Sequence, residues 1–437
     1  MQQVITGGLG VALTNNATSY IYPYGHVSPA DATITNSSVL VPEAGVLSGL
    51  RIVIDGAAGA GKSYTFTMYV NGIASTLTCA ISGASATSDQ DVSHNVTVAA
   101  GDLIALECVP ASTPTARAMR FAYEFTPTAA TTAVLMGGAS VTTPNASATR
   151  YNQLGGCETG WDATVTNRAP VWNIDATIKT LYVQLATAPG AGKSRAFAIM
   201  KNGSAEASSV ITIAEAATTA SVTGLAIDLA PGDNLALRSV PSGTPDATAV
   251  IYWGMSYSPD TDGQYCMTGI DQNAINTTNT FNSLTQYPIA WTATEADRST
   301  KAGGATTSKK VIYKSLRVEL SAAPGVGTSR TFALNVDTSS SALSVTIADA
   351  NTTGVTAVDV EPTRDQLITL EHTATGAAAG AFVTAAVLMQ TQSSGASPPG
   401  GGRPPRPPGG GPPGSPPGGS TFTGPVLKKL RFPEKVI

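Results

Sequence analysis

Gly59-Ala-Gly-Lys-Ser-Tyr-Thr-Phe-Thr-Met68 returns as Gly190-Ala-Gly-Lys-Ser-Arg-Ala-Phe-Ala-Ile199 and again as Gly325-Val-Gly-Thr-Ser-Arg-Thr-Phe-Ala-Leu334. Before each stands a run that opens on leucine: Leu50-Arg-Ile-Val-Ile54, Leu181-Tyr-Val-Gln-Leu185 and Leu316-Arg-Val-Glu-Leu320. The leucine lies eleven residues before the middle glycine (Gly61, Gly192, Gly327) and the phenylalanine five after it in every copy. A period of about 130 residues is too long for a solenoid unit and fits one small domain.

Within a copy the pattern is β. Ser63-Tyr-Thr-Phe-Thr-Met-Tyr-Val70 alternates small polar with large apolar side chains, the period-two signature of a half-buried strand. Asn71-Gly72 and Asn202-Gly203 follow at equivalent places, and Asn-Gly between two strand-like runs is a strong hairpin signal because both residues accept positive φ. Gly101-Asp102 and Gly232-Asp233, forty residues after their reference glycines, introduce Leu103–Glu107 and Asn234–Arg238; Arg364-Asp365 takes that place before Leu367–Leu370. The copies close on apolar strands within Met119–Phe125, Ala249–Met255 and Ala381–Met389. No segment holds a helical period over three turns. About eight strands per repeat, separated by Gly, Pro, Asn and Asp turns, predict an all-β chain of three tandem antiparallel β-sandwich domains. A jelly-roll-like version is preferred over an immunoglobulin-like one, whose Cys–Trp–Cys hallmark is missing. The expected boundaries are 1–129, 130–260 and 261–392.

After Gln392 the texture changes. Residues 393–420 are dominated by proline and glycine, without glycine at every third position, so the stretch reads as an extended linker rather than a collagen helix. Residues 421–437 mix apolar and basic side chains, and seventeen residues cannot build a domain. An extended Pro/Gly-rich C-terminal arm ending in a docking peptide is expected, with Val426, Leu427, Leu430, Arg431 and Phe432 as the residues that meet a partner, for example as an added strand.

Charged residues are only 12% of the chain and the net charge is −4, which argues against a nucleic-acid partner, since phosphate binding leaves clustered Lys and Arg. No apolar run is long enough to span a bilayer as a helix, and the start lacks a signal peptide's basic and apolar regions, so no membrane partner is expected. Cys79, Cys108, Cys157 and Cys266 do not recur between repeats; whether Cys79 and Cys108 pair stays open.

Gly56-Ala-Ala-Gly-Ala-Gly-Lys-Ser63 satisfies the phosphate-loop spelling, but that motif needs a helix after it, and here a strand pattern follows. The second copy has Thr187 at the first glycine and the third has Thr328 at the lysine, so the repeating feature is a glycine-rich turn between strands. His26, His94 and His372 stand at unmatched places, which gives no support to a zinc site or a catalytic triad. Asp260-Thr-Asp-Gly263 lacks the spacing and terminal glutamate of a calcium loop and reads as an interdomain turn. No cofactor, metal or catalytic residue is therefore assigned. Aromatics gather near the start of each repeat, with Tyr22, Tyr24, Tyr151 and Trp291 as candidate interface residues; the alternative is that they pack over one end of each sandwich.

Ala188-Pro-Gly-Ala-Gly-Lys-Ser-Arg-Ala-Phe197, with Asn202-Gly203 and Pro231-Gly-Asp233 after it, resembles the β-sandwich repeats of tailed-bacteriophage structural proteins. The resemblance covers residues 1–392 and implies a non-enzymatic virion protein, made in the host cytoplasm, that decorates or cements a capsid or forms a head fibre. Its implied partners are the major capsid protein or other virion proteins, with a homo-oligomer, trimer first, and a host-surface glycan as further expectations. The alternatives are a tail or baseplate fibre that binds a receptor or glycan and, more remotely, a tailspike-type glycan hydrolase.

Overall fold

The computed structural model describes residues 1–393 except 28–29, 140–143, 158–159, 247–249, 272–274, 276–278, 285–290, 296–299, 302–308 and 364–365. The candidate docking residues Val426, Leu427, Leu430, Arg431 and Phe432 lie outside the described residues, as does the Arg364–Asp365 turn.

The first repeat forms β1 (Gln3–Leu9), β2 (Ser19–Ile21), β3 (Gly25–Val27), β4 (Val39–Leu40), β5 (Gly45–Ile54), β6 (Gly59–Val70), β7 (Ile73–Gly83), β8 (Ser88–Val98), β9 (Leu103–Ala111) and β10 (Met119–Pro127). The second forms β11 (Ala133–Ala139), β12 (Arg150–Asn152), β13 (Gly156–Cys157), β14 (Ala176–Leu185), β15 (Gly190–Lys201), β16 (Ser204–Ala205), β17 (Ile211–Glu215), β18 (Thr219–Leu229), β19 (Leu235–Ser242) and β20 (Ile251–Pro259). The third forms β21 (Gln264–Asp271), β22 (Thr280–Asn282), β23 (Thr300–Lys301), β24 (Lys309–Leu320), β25 (Gly325–Val336), β26 (Ser339–Asp349), β27 (Thr353–Val360), β28 (Leu367–Thr375) and β29 (Val383–Ser393). Among the described residues the only helical pieces are short 3-10 turns.

Each repeat makes two sheets. In the first, β1-β10-β5-β8 lie side by side, with β3 added parallel to β1, and face β2-β9-β6-β7, to which β4 adds on β9. With β2 and β4 taken as one interrupted strand, the eight strands read 1-8-3-6 and 2-7-4-5, the jelly-roll order. The other repeats repeat it, as β11-β20-β14-β18 over β12-β19-β15-β16 and as β21-β29-β24-β27 over β22-β28-β25-β26.

The recurring glycines have a backbone cause. Gly59 and Gly61 sit at φ 112 and 69, Gly190 and Gly192 at 97 and 70, Gly325 and Gly327 at 107 and 72. Each pair opens a bulge, since the register slips between Gly59 and Ser63, Gly190 and Ser194, and Gly325 and Ser329. The phosphate-loop spelling is thus a bulged strand start, with no helix after Lys62. At the next hairpin Asn71-Gly72 (φ 52, 77) and Asn202-Gly203 (φ 51, 79) make the expected turn, and Asp337-Thr338 (φ 46, 69) adopt the same backbone in the third copy without a glycine.

Burial follows the period-two pattern in β6, where Tyr64, Phe66 and Met68 are buried between half-buried neighbours. It does not in β1, where every residue is buried, or in β10 and β20, which are buried at all positions but one. A strand buried on both faces has a second layer over it, and here that layer is another repeat.

Candidate functional site: the joints between sandwiches

In each repeat a segment that leaves the second strand crosses onto the next repeat's first sheet. Its base is an isolated bridge, Tyr20 with Asp31, Tyr151 with Asp162, and Phe281 with Thr292. Asp31 accepts from the Thr33 amide and Asp162 from the Thr164 amide, each at 2.7 Å, and Thr292 Oγ1 from the Thr294 amide at 3.2 Å. These side chains hold a tight turn that aims the following residues outward. The Trp172 amide bonds the Asp233 carbonyl and the Gly232 amide returns to Trp172, as Val41 does with Asp102 and Gly101, so the segments of the first two repeats are pinned to their own repeats before they reach the neighbour.

From the first repeat, β4 packs on β11 and β20. Glycine makes this approach possible: a Cβ on Gly254 would stand 2.8 Å from the Leu40 carbonyl and the Pro42 ring, and one on Gly138 2.4 Å from the Ser38 carbonyl. From the second repeat, Asn173 Nδ2 donates to the Ser315 and Ala386 carbonyls at 3.2 and 3.3 Å, and Thr268 Oγ1 donates to the Val171 carbonyl at 2.6 Å. From the third, β23 packs against β1 and β10 of the first, and Thr391 Oγ1 donates to the Gln2 carbonyl at 2.6 Å. Repeat one therefore sits on two, two on three, and three on one. A head-to-tail contact that returns to its start is a closed ring, with the form a cyclic trimer has, here within one chain.

Inner-strand contacts tie the ring. Gln3 donates from Nε2 to the Val134 carbonyl at 3.0 Å and accepts the Val134 amide at Oε1 at 2.9 Å. The Cys266 amide, at the same register position of β21, donates to the Tyr257 hydroxyl at 3.0 Å. Tyr265 faces the Val4 backbone amide, the third equivalent, without completing a hydrogen bond. Burial pushes the Tyr24, Tyr123, Tyr257, Tyr265 and Tyr313 phenols up, so all stay neutral. The same cause pushes the Cys266 thiol up to about 12, which leaves it an unreactive core group.

The candidate aromatics fall in two groups. Tyr24 is buried beside Cys266 of the third repeat, and Tyr22 stands 3.5 Å from a Cβ built on Gly138 of the second, so both line joints between repeats. Trp291 packs within its own sandwich on Phe332 and His372, at ring distances of 6.1 and 5.6 Å. Tyr151 is half-buried and packs against Ala169, Met200 and Ala236 of its own repeat.

The remaining polar candidates are structural in placement. Arg195 and Arg330, both fully buried, occupy the position of Tyr64: Arg195 donates to the Pro144, Asn145 and Asp246 carbonyls, Arg330 to those of Ile275, Ala378 and Ala379, and Tyr64 to Thr115. His372 lies under Arg330 in the third repeat, and His94 bonds Asp91 on β8 in the first; His26 is a residue of β3. Cys79 and Cys108 are free; they flank Phe66 from the two neighbouring strands, roughly 9–10 Å apart, beyond disulfide reach. Asp260–Gly263 is the turn between β20 and β21, closed by the Gln264 amide on Thr261 at 3.2 Å.

The joint-forming residues had a sequence signal of their own. Asp31-Ala-Thr-Ile-Thr-Asn36 returns as Asp162-Ala-Thr-Val-Thr-Asn167 and, shortened, as Thr292-Ala-Thr294. No protein-family model matches the chain and no curated protein is significantly similar to it.

Proposed function

We propose that the protein is a non-enzymatic structural component of a virus particle, one that decorates or cements a phage capsid or stands on it as a head fibre. The observation that carries this reading is the closed ring of three jelly rolls. Its most elaborate chemistry, Gln3 on Val134 and Asn173 on Ser315 and Ala386, joins one repeat to the next. A single chain then does the work of three copies of a one-domain protein. The faces such copies would use against one another are already covered within this chain, so we propose that it binds as one ring-shaped unit through its C-terminal arm, 393–437.

The test is sedimentation of particles made with the full chain and with a chain ended after residue 393. The full chain should band with particles at fixed stoichiometry, and the shortened chain should stay in the soluble fraction with an unchanged melting temperature. Equal occupancy by both would remove the arm as the anchor; absence of the full chain from particles would end the virion reading.

A further inference from the structure

The joint between the second and third sandwiches holds a pocket of about 400 Å³, within the range of small-molecule sites, roughly 300–1,000 Å³. Val165–Asn167, the Asn202-Gly203 turn and Asn234 form one wall; Glu319, Leu320, Ser321, Phe382 and Thr384 form the other. Its origin is one side-chain exchange. In the second repeat Tyr252 pairs with Gln184, and in the third Thr384 pairs with Glu319 at the same register. At the joint between the first and second sandwiches Tyr252 fills the equivalent space, and its hydroxyl donates to the Thr35 carbonyl at 2.7 Å. Thr35 corresponds to Thr166 of the pocket, so the pocket is the space that a tyrosine occupies one joint earlier.

The exchange leaves hydrogen-bonding capacity at the pocket that the protein does not use up. Thr384 Oγ1 is sealed from solvent and has no hydrogen-bond partner. Asn234 Nδ2 donates to Glu319 Oε2 at 3.1 Å, which leaves Glu319 Oε1 and Asn234 Oδ1 as acceptors. The Phe382 ring, 42% exposed, gives the rim a flat apolar face. Glu319 is a carboxylate with an acceptor oxygen to spare, so the fitting ligand supplies hydroxyl hydrogens and carries no negative charge. An exposed aromatic beside such groups suits a ring with an apolar C–H face and hydroxyls at its edge.

We propose that this pocket binds a neutral pyranose sugar, stacked on Phe382 with hydroxyls on Glu319 and Asn234, in the space that the small Thr384 side chain leaves open. The site is independent of the particle reading, and either can fail without the other.

Saturation-transfer NMR of the full chain tests it with the methyl glycosides of glucose, galactose, mannose and rhamnose as probes. At least one should receive saturation through its ring protons. Thr384→Tyr, which rebuilds the plug of the earlier joint, should abolish the transfer while the melting temperature holds or rises. Phe382→Ala, at an exposed position, should weaken binding about tenfold without loss of fold. No transfer to any of the four would overturn the proposal. So would transfer that persists in both variants, or an open-chain polyol (sorbitol) that binds as well as the pyranosides.

Discussion

Tyr252 of the second sandwich donates its hydroxyl to the Thr35 carbonyl of the first at 2.7 Å, and the same position is Arg120 in the first repeat and Thr384 in the third. One register position therefore sets the character of a joint. Tyr252→Phe removes only the hydrogen bond and should cost about 1 kcal/mol of stability. Tyr252→Thr also empties the joint and should cost about 2–4 kcal/mol. Urea unfolding of the two variants checks the order; equal costs would mean that the ring's volume contributes nothing.

Phe66, Phe197 and Phe332 are fully buried at equivalent places in their sandwiches. Replacement of any one by alanine should destabilise the protein by about 3–5 kcal/mol. The three values, from calorimetry or urea unfolding, should agree within a factor of two if the copies are built alike.

His372 is fully buried, with Nε2 2.9 Å from Arg330 Nη1 and Nδ1 3.4 Å from Thr280 Oγ1. A guanidinium only donates, so Nε2 must be unprotonated. Burial first, and the Arg330 charge second, push the imidazole down to about 4. An unfolded histidine titrates near 6.5, so the unfolded chain takes up the proton first as pH falls. This group's contribution is complete above about pH 6.5 and is lost as pH falls through about 4, a change of about 3 kcal/mol. Unfolding curves from pH 7 to 4 should show a steeper loss for the native chain than for His372→Gln. Parallel curves would remove His372 as the cause.

Thr338 holds φ 69 in the turn where the other repeats place Gly72 and Gly203. A β-branched residue is strained there, so Thr338→Gly should stabilise the third sandwich by about 1 kcal/mol. Thr338→Ala, which keeps a Cβ, should recover little of that gain in the same melting experiment.

Much of the architecture was legible in local patterns. Alternation in Ser63–Val70, the Asn-Gly turns and the paired glycines of Gly59–Gly61 report backbone requirements that each residue meets by itself, and these gave the sandwich and its strand count. The joints were harder to see. Met119–Phe125 and Ile251–Tyr257 alternate large apolar residues with Arg120, Ala122, Glu124 and with Gly254 and Ser256, a pattern that reads as one covered face although the structure buries both. The Asp31–Asn36 repeat carried the turn that launches each crossing segment. Neither names what it meets, and Gln3 gives no hint in sequence that it brackets Val134.

The sequence by itself determined that this chain is three copies of one sheet-built module, because strand period and positive-φ turns are properties of neighbouring residues. Only the tertiary structure decided that the copies close into a ring and that one joint is open where another is plugged. Those outcomes depend on contacts between residues more than a hundred positions apart, such as Tyr252 with Thr35, where a side chain's role is set by the shape and the unpaired backbone groups of the surface it meets.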